Sequence, residues 1–420
     1  MSDSQSWDVL VIGGGPAGST AAALLATQGR RVLVLEQDEF PRYHVGESLI
    51  PHCYFPLERL GLIEAMNRSH FTRKYSVQFA GRSGRMSAPF YFSEHRDHPS
   101  SMSWQVVRSE FDQMLLDHAR DRGAEVRIGW RAQQFMRDAD GAICGVQALS
   151  PAGESVTLSA PLTLDASGRS GLAMSRLGWR VPDRKLQKMA IWTYVKGAMR
   201  DPGRDEGATT VAYVPEKGWF WYIPLPDDMV SVGVVAGTDY LFRDGRDPER
   251  IIDRELQVNP WIAAHVATGT RQGAAHKTSD FSYRAKHCAT DGLVLVGDAF
   301  AFLDPVFSSG VFLALHSGCL AADAADAALT AGDTGAAAFT DYGEQFCYAI
   351  EAMRKLVYAF YDDSFSFREL FMKYPDLRSD VTDCLIGNVA HDFTRMFTAM
   401  AEFADLPPPL AHGKPDCVAL

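Results

Sequence analysis

Apolar positions in this chain follow different spacings in different stretches, and the changes of spacing mark its elements. Val9-Leu10-Val11-Ile12 is an unbroken apolar run, the pattern of a strand covered on both faces. It enters the turn Gly13-Gly14-Gly15-Pro16-Ala17-Gly18 and leaves through an alanine-rich stretch that predicts a helix. A second apolar run, Val32-Leu33-Val34-Leu35, ends in Glu36. Residues 71–79 alternate and predict an edge strand. Beyond Arg108, the spacing of Phe111, Leu115 and Ala119 predicts a helix. Residues 125–128 read as a strand, residues 145–149 and 156–158 as a hairpin, and residues 163–171 as a buried strand ending in a glycine turn.

Residues 181–280 have another character. Short alternating runs at 189–195 and 209–214 predict an antiparallel sheet with one wet face. Within it lies Trp219-Phe220-Trp221-Tyr222-Ile223-Pro224; a period of two puts Trp219, Trp221 and Ile223 on one face and Phe220 and Tyr222 on the other. The chain returns to a buried-strand pattern at residues 292–296, followed by Gly297-Asp298, then by the turn Ser308-Ser309-Gly310, which feeds an apolar helix from Val311. Residues 331–371 carry aromatics at helical spacing, expected to be mostly packing with a few at a substrate pocket.

The first of these patterns carries chemistry. A strand, a glycine turn and a helix in succession make a phosphate cradle: Gly13 permits the turn, Gly15 lets backbone N–H groups approach a pyrophosphate, and Gly18 lets the helix pack on the strand. Glu36 at the end of the second strand is an acceptor for a ribose hydroxyl. These residues predict a dinucleotide site and leave NAD and FAD both open.

Composition narrows the class. At 420 residues the chain exceeds a single core, and 46% hydrophobic with 22% charged residues describes an ordinary globular protein. A net charge of −11 argues against a general nucleic-acid binder. Seven cysteines without a C-x-x-C pair point to a reducing compartment and no metal site, hence a cytoplasmic location. The N-terminus shows no signal-peptide pattern and no run of eighteen apolar residues predicts a membrane span. Cys417-Val418-Ala419-Leu420 fits a prenylation pattern but lacks a polybasic neighbour, so a frayed tail after Pro407-Pro408-Pro409 is expected.

Several segments together resemble the flavin-dependent halogenases. Phe40-Pro41-Arg42 and Gly46-Glu47-Ser48 are similar to the loop covering the flavin in that family, and Phe71-x-x-Lys74 to the segment holding its catalytic lysine, with Ser76 where the family usually has glycine. Trp219-x-Trp221-x-Ile223-Pro224 is the family's most specific motif, and Asp304-Pro305-Val306-Phe307-Ser308-Ser309-Gly310-Val311 resembles its halide and flavin turn. Read by themselves, without the resemblance, Lys74 is a solvated or edge-protecting strand residue and the tryptophans are core, while Arg108 fits a salt-bridged helix start as well as a flavin contact.

The resemblance implies an α/β (α+β) protein with a Rossmann-type FAD-binding domain, an antiparallel-sheet substrate domain and C-terminal helices. The FAD domain is expected to be discontinuous, from residues 1–75, 100–180 and 281–330; residues 76–99 and 181–280 form the substrate domain, and 331–420 a helical segment with a flexible tail. It implies FAD, used as FADH2, held by Gly13, Gly15, Pro16, Ala17, Gly18, Glu36, Arg42, Gly46, Glu47, Ser48, Arg108, Asp298, Pro305, Gly310 and Val311. A chloride or bromide is expected at Ser308, Ser309 and Gly310, and O2 as co-substrate. Lys74 is the expected catalytic amine, partly buried, and Trp219 and Trp221 are expected to keep the organic substrate from the flavin. Some relatives attach FAD covalently through an aspartate of the Asp304 region.

With one dinucleotide fingerprint, FADH2 is expected from a separate flavin reductase. The length resembles halogenases acting on a pyrrole-2-carboxyl group tethered to an acyl or peptidyl carrier protein. Arg180, Arg184, Lys185 and Lys188 are a candidate docking cluster for that acidic partner, with a solvated loop as the simpler reading. A free phenol is the nearest alternative substrate, and a flavin hydroxylase or geranylgeranyl-reductase-like enzyme the alternative activity. A homodimer is the base-rate expectation.

Overall fold

The computed structural model describes residues 6–279, 282–411 and 413–417. Two large sheets organise them. The first has six strands in the order Ala289–Thr290, Leu293–Leu295, Leu162–Asp165, Val9–Ile12, Val32–Glu36 and Glu125–Ile128. All its pairings are parallel except that of the Ala289–Thr290 edge strand. Its inner strands Val9–Ile12 and Leu293–Leu295 are apolar and buried throughout because both faces are covered, whereas the edge strand Glu125–Ile128 is half-buried and carries Glu125 and Arg127. One face carries helix α1 (Pro16–Thr27). The other, with Leu10, Ile12, Leu33 and Leu35, meets Val146, Ala148 and Leu158 of a three-stranded meander, in which Arg131–Arg137 joins the predicted hairpin. Helix α2 (Arg108–Asp121) begins at the predicted arginine and packs on α1.

The second sheet has seven strands, in the order Thr270–Ser279, Met189–Lys196, Met229–Ala236, Trp219–Leu225, Thr209–Tyr213, Ser76–Ala80 and Phe90–Tyr91. Two expectations about it need correction. It is antiparallel except where Thr209–Tyr213 runs parallel to Ser76–Ala80. Neither face is wet in the region of the tryptophans, since every residue of Trp219–Leu225 is buried. Phe220 and Tyr222 pack with Ile251, Ile252, Trp261 and Ile262 from the short helices Pro248–Glu255 and Pro260–Val266. Trp219, Trp221 and Ile223 join the main core beside the first sheet. The alternation assigned the two faces correctly; that both are covered depends on helices distant in sequence.

The expected edge strand at 71–79 is two strands in different sheets. Thr72–Lys74 pairs with Ser103–Gln105, and Ser76–Ala80 is an interior strand of the seven-stranded sheet. Ser76, in the usual glycine's place, is fully buried and donates from Oγ to Asp205 Oδ1 at 2.6 Å.

Helix α3 (Gly310–Ala331) packs on α1, where a Cβ on Gly318 would lie 2.7 Å from the Ala17 carbonyl oxygen. Among the described residues α3 is the one helix long and apolar enough to cross a membrane, and 67% of its most apolar window is buried inside the fold. Helix α4 (Thr340–Tyr361) and, among the described residues, three shorter helices follow. The tail is not frayed as expected over its described part. Gly413 N donates to Lys286 O at 2.9 Å and Asp416 N to Ala289 O at 2.7 Å, which holds residues 413–416 against the edge of the first sheet. Residues 418–420 of the prenylation pattern, and the expected domain boundary at 280–281, lie outside the described residues.

Candidate active site

A cavity of about 870 Å³ runs between the two sheets. At one end the glycine turn and the start of α1 form its floor. Gly13 has φ +103°, a left-handed conformation open to glycine, and a Cβ on Gly18 would lie 2.0 Å from the Gly13 carbonyl oxygen, so helix and turn touch backbone to backbone. Gly15 is extended, and a Cβ there would meet only the Arg42 guanidinium, at 3.4 Å, so the bare backbone leaves room for a ligand. Glu36 is buried and fixed by two backbone donors, Gly14 N at 2.7 Å to Oε2 and Asp38 N at 2.7 Å to Oε1. Gly13, Gly15, Pro16, Ala17, Glu36, Arg42, Gly46, Glu47, Ser48 and Arg108 all face the cavity; Gly18 does not, its role being the helix contact.

Arg108 makes a bidentate pair with Asp112, at 2.8 and 3.0 Å, and donates to the Val45 and Gly46 carbonyls at 3.1 and 3.3 Å. It therefore ties the Gly46-Glu47-Ser48 loop to α2. Asp298 also lines the cavity, and burial pushes its carboxyl up to about 7 against the opposing pull of Arg108 and Arg169. Two guanidinium nitrogens of residues lining the cavity, Arg42 Nε and Arg169 Nε, are buried with no hydrogen-bond partner. A positive helix end, an oriented carboxylate and donors left over are what a dinucleotide phosphate and ribose require. The residues fit FAD.

Lys74 is buried to 1% exposure, completely and not partly as expected. Its Nζ donates to Ser48 Oγ at 2.8 Å and to the Leu49 carbonyl at 3.1 Å, and lies 5.7 Å from the centroid of the Phe92 ring. Burial lowers the amine to about 7. Lys74 reaches the cavity through Ser48 and its neighbour Thr209, both of which line it.

Trp219, Trp221 and Ile223 line the same cavity, as their shared face predicts. The two indoles are 6.1 Å apart, and Trp221 closes over Gly233, where a Cβ would lie 2.4 Å from Trp221 Cζ2. Trp221 Nε1 donates to Ser231 Oγ at 3.0 Å. Trp219 Nε1 donates to Tyr361 OH at 2.7 Å, and Tyr361 OH to Asp304 Oδ2 at 2.9 Å. The end of α4 thus joins the tryptophan strand to the turn after Asp304. Burial pushes the Asp304 carboxyl up to about 6, opposed by its hydrogen bond from Tyr361.

In that turn Pro305, Ser308, Gly310 and Val311 face the cavity, whereas Ser309 is buried behind it. Ser308 has φ +54°, unusual for a residue with a side chain, and its N–H is taken by the Pro305 carbonyl at 2.9 Å.

The basic cluster expected at 180–188 is largely spoken for. Arg180 lies over the Tyr283 ring at 3.8 Å, Lys185 pairs with Asp405 at 3.3 Å, and Lys188 sits 4.5 Å from the Tyr361 ring centroid. Other residues of the site went unrecognised in the sequence. Arg169 follows a buried strand and a glycine turn, a signal that was present. Thr209, Gln105 and Trp192 carry no local signal. Trp192 donates from Nε1 to Tyr43 OH at 2.7 Å, Tyr43 and Tyr194 share a hydroxyl contact of 3.0 Å, and Tyr194 donates to Glu47 at 2.7 Å. That chain fastens the loop to the second sheet.

The tryptophan halogenase family model matches residues 8–97 and 85–374. The chain belongs to the flavin-dependent halogenases. It is 36% identical over 364 residues to a tryptophan 2-halogenase of Chondromyces crocatus, covering 85% of this chain and 68% of that one. It spans 66% and 64% of the length of two Armillaria mellea flavin-dependent halogenases. It is 33% identical over 399 residues to a 1H-pyrrole-2-carbonyl-[peptidyl-carrier protein] brominase of Pseudoalteromonas luteoviolacea, covering 92% of this halogenase and 93% of the brominase. The structure of the flavin-dependent brominase Bmp2 superposes with a TM-score of 0.85 at 30% identity, covering 95% of this halogenase and 97% of Bmp2. The family implies an enzyme that uses a flavin and a halide.

Proposed function

We propose that this enzyme chlorinates or brominates an electron-rich aromatic ring, a pyrrole-2-carboxyl group carried on an acyl or peptidyl carrier protein, with FADH2 supplied by a separate flavin reductase. The observation that carries the reaction is a dry lysine amine directly behind the wall of the cavity, bonded to the lining residue Ser48, where the same cavity also holds the dinucleotide turn and the paired tryptophans. Reduced FAD, when bound, supplies the activation of O2 that oxidises the halide to hypohalous acid. The turn at Ser308 and Gly310 holds the halide. Arg42, Arg108 and Arg169 balance the pyrophosphate, and Glu36 takes the ribose. Trp219 and Trp221 fill the space beside the flavin, so hypohalous acid and not the organic ring occupies it. Lys74 presents the halogen to the ring, as a haloamine or as an ammonium bonded to the hypohalous oxygen.

The carrier-bound substrate rests on the chain's match to nearly the full length of a pyrrolyl-carrier brominase, where the tryptophan 2-halogenase is substantially longer. The test is mass spectrometry of a pyrrolyl-loaded carrier protein and a set of small phenols, each incubated with the enzyme, FAD, a flavin reductase, NADH, O2 and bromide or chloride. A halogen isotope pattern on the carrier, lost in Lys74→Ala, is expected. Halogenated phenols alone would overturn the carrier substrate, and oxygen insertion without halogen would overturn the reaction.

A further inference from the structure

The site raises a problem of proton transfer. Lys74 stands one residue behind the cavity lining, and of its two hydrogen-bond acceptors the Leu49 carbonyl can take a hydrogen bond but pass nothing on. The other, Ser48 Oγ, continues outward: it lies 2.8 Å from Thr209 Oγ1, and both residues line the cavity. Gln105 fixes the outer hydroxyl, its Nε2 donating to Thr209 Oγ1 at 2.9 Å and to the Gly207 carbonyl at 2.9 Å.

The arrangement leaves one hydroxyl hydrogen over. Ser48 Oγ accepts from Lys74 and Thr209 Oγ1 accepts from Gln105, and the single contact between the hydroxyls uses the hydrogen of only one of them. If Ser48 donates, the Thr209 hydrogen is left without an acceptor among the described residues; if Thr209 donates, the Ser48 hydrogen is. Either way the spare hydrogen sits on a residue of the cavity wall.

We propose that Ser48 and Thr209 form a hydroxyl relay that carries a proton from the Lys74 ammonium to the cavity and so frees the amine to take up halogen. This rests on the reading of Lys74 given above. The proton on Nζ passes to Ser48 Oγ as the Ser48 proton passes to Thr209 Oγ1 and the Thr209 proton enters the cavity. The nitrogen, keeping its electron pair, bonds to the halogen of hypohalous acid as the oxygen–halogen bond breaks. The hydroxide released takes a second N–H proton and leaves as water. In sum R–NH3+ and HOX give R–NHX, H2O and H+, the last delivered by the relay, and the halogen keeps its oxidation level. The amine lies near 7, so this transfer is close to balanced at neutral pH. Its one titratable neighbour in the interaction, Cys53, is pushed up to about 12 by burial and stays neutral; the remaining groups around the ammonium, Ser48, Leu49 and Phe92, carry no charge.

Thr209 acts through Lys74, and its test must separate relay from packing. Thr209→Val keeps the shape and removes the hydroxyl; Thr209→Ser restores it. In the flavin-free chain, NMR of 15N-labelled lysine is expected to show exchange of the Lys74 Nζ protons with water slowed in Thr209→Val and recovered in Thr209→Ser. In turnover, Thr209→Val is expected to lose roughly 10²-fold in kcat near pH 6, where the amine is charged, with halide and organic KM unchanged and a smaller loss near pH 9. Lys74→Ala inactive together with Thr209→Val at wild-type rate and wild-type exchange would overturn the relay alone. A Thr209→Val loss equal at both pH values and not recovered by serine would overturn it in favour of packing. A halogenating Lys74→Ala would overturn the reading of the lysine and the relay with it.

Discussion

The charge state of Lys74 has a consequence for stability that needs no substrate. Burial lowers the amine from the ordinary lysine value of 10.5 to about 7 in the folded chain. Between those two values the unfolded chain binds the proton and the folded chain does not, so unfolding takes up a proton and stability rises with pH across that window. The cost of burying the amine is fully present below pH 7 and gone above 10.5. By linkage that cost is about 4 kcal/mol at pH 7 and about 2 kcal/mol at pH 9. Lys74→Met keeps the unbranched stem and removes the charge; leaving Ser48 Oγ and the Leu49 carbonyl without their donor costs about 1–3 kcal/mol, a loss that does not vary with pH. Urea unfolding of both flavin-free proteins at the two pH values isolates the lysine, since other titrating groups cancel in the difference. The stability of the wild type relative to Lys74→Met should improve by about 2 kcal/mol between pH 7 and pH 9. A difference independent of pH would refute the buried, weakly basic amine, and with it the physical basis for its proposed chemistry.

Two further outcomes follow from contacts. Gly18→Ala places a methyl 2.0 Å from the Gly13 carbonyl oxygen, so α1 must move off the turn, and FAD binding followed by flavin fluorescence should be lost; affinity equal to wild type would contradict the turn's role. Tyr361→Phe strands Trp219 Nε1 and Asp304 Oδ2, at a cost of about 1–3 kcal/mol in urea unfolding. It should also raise the ratio of hydrogen peroxide to halogenated product, because the indole and the halide turn are no longer joined; unchanged stability and coupling would remove that link.

Much of this enzyme was legible before folding, where function is written in contiguous residues. The strand, turn and helix from Val9 to Thr27 owe their form to local backbone geometry, and so the cradle and Glu36 could be located from the letters alone. The same holds for the face shared by Trp219, Trp221 and Ile223, which a period of two dictates in any sheet. What the sequence could not decide is what covers each face and which distant groups meet. The lysine strand is the edge it read as, in a two-stranded sheet, but its amine is buried completely and not partly because its cover comes from Ser48, Leu49, Cys53 and Phe92. The tryptophan sheet read as half wet because the helices that bury Phe220 and Tyr222 come later in the chain, at residues 248–266. Thr209 has no pattern to mark it; it matters only because Gln105 and Ser48 reach it across more than a hundred residues. Local sequence determines conformation and periodicity through short-range sterics, whereas burial, and with it the basicity of Lys74, is a property of the assembled sheets, set by how much water the whole fold excludes.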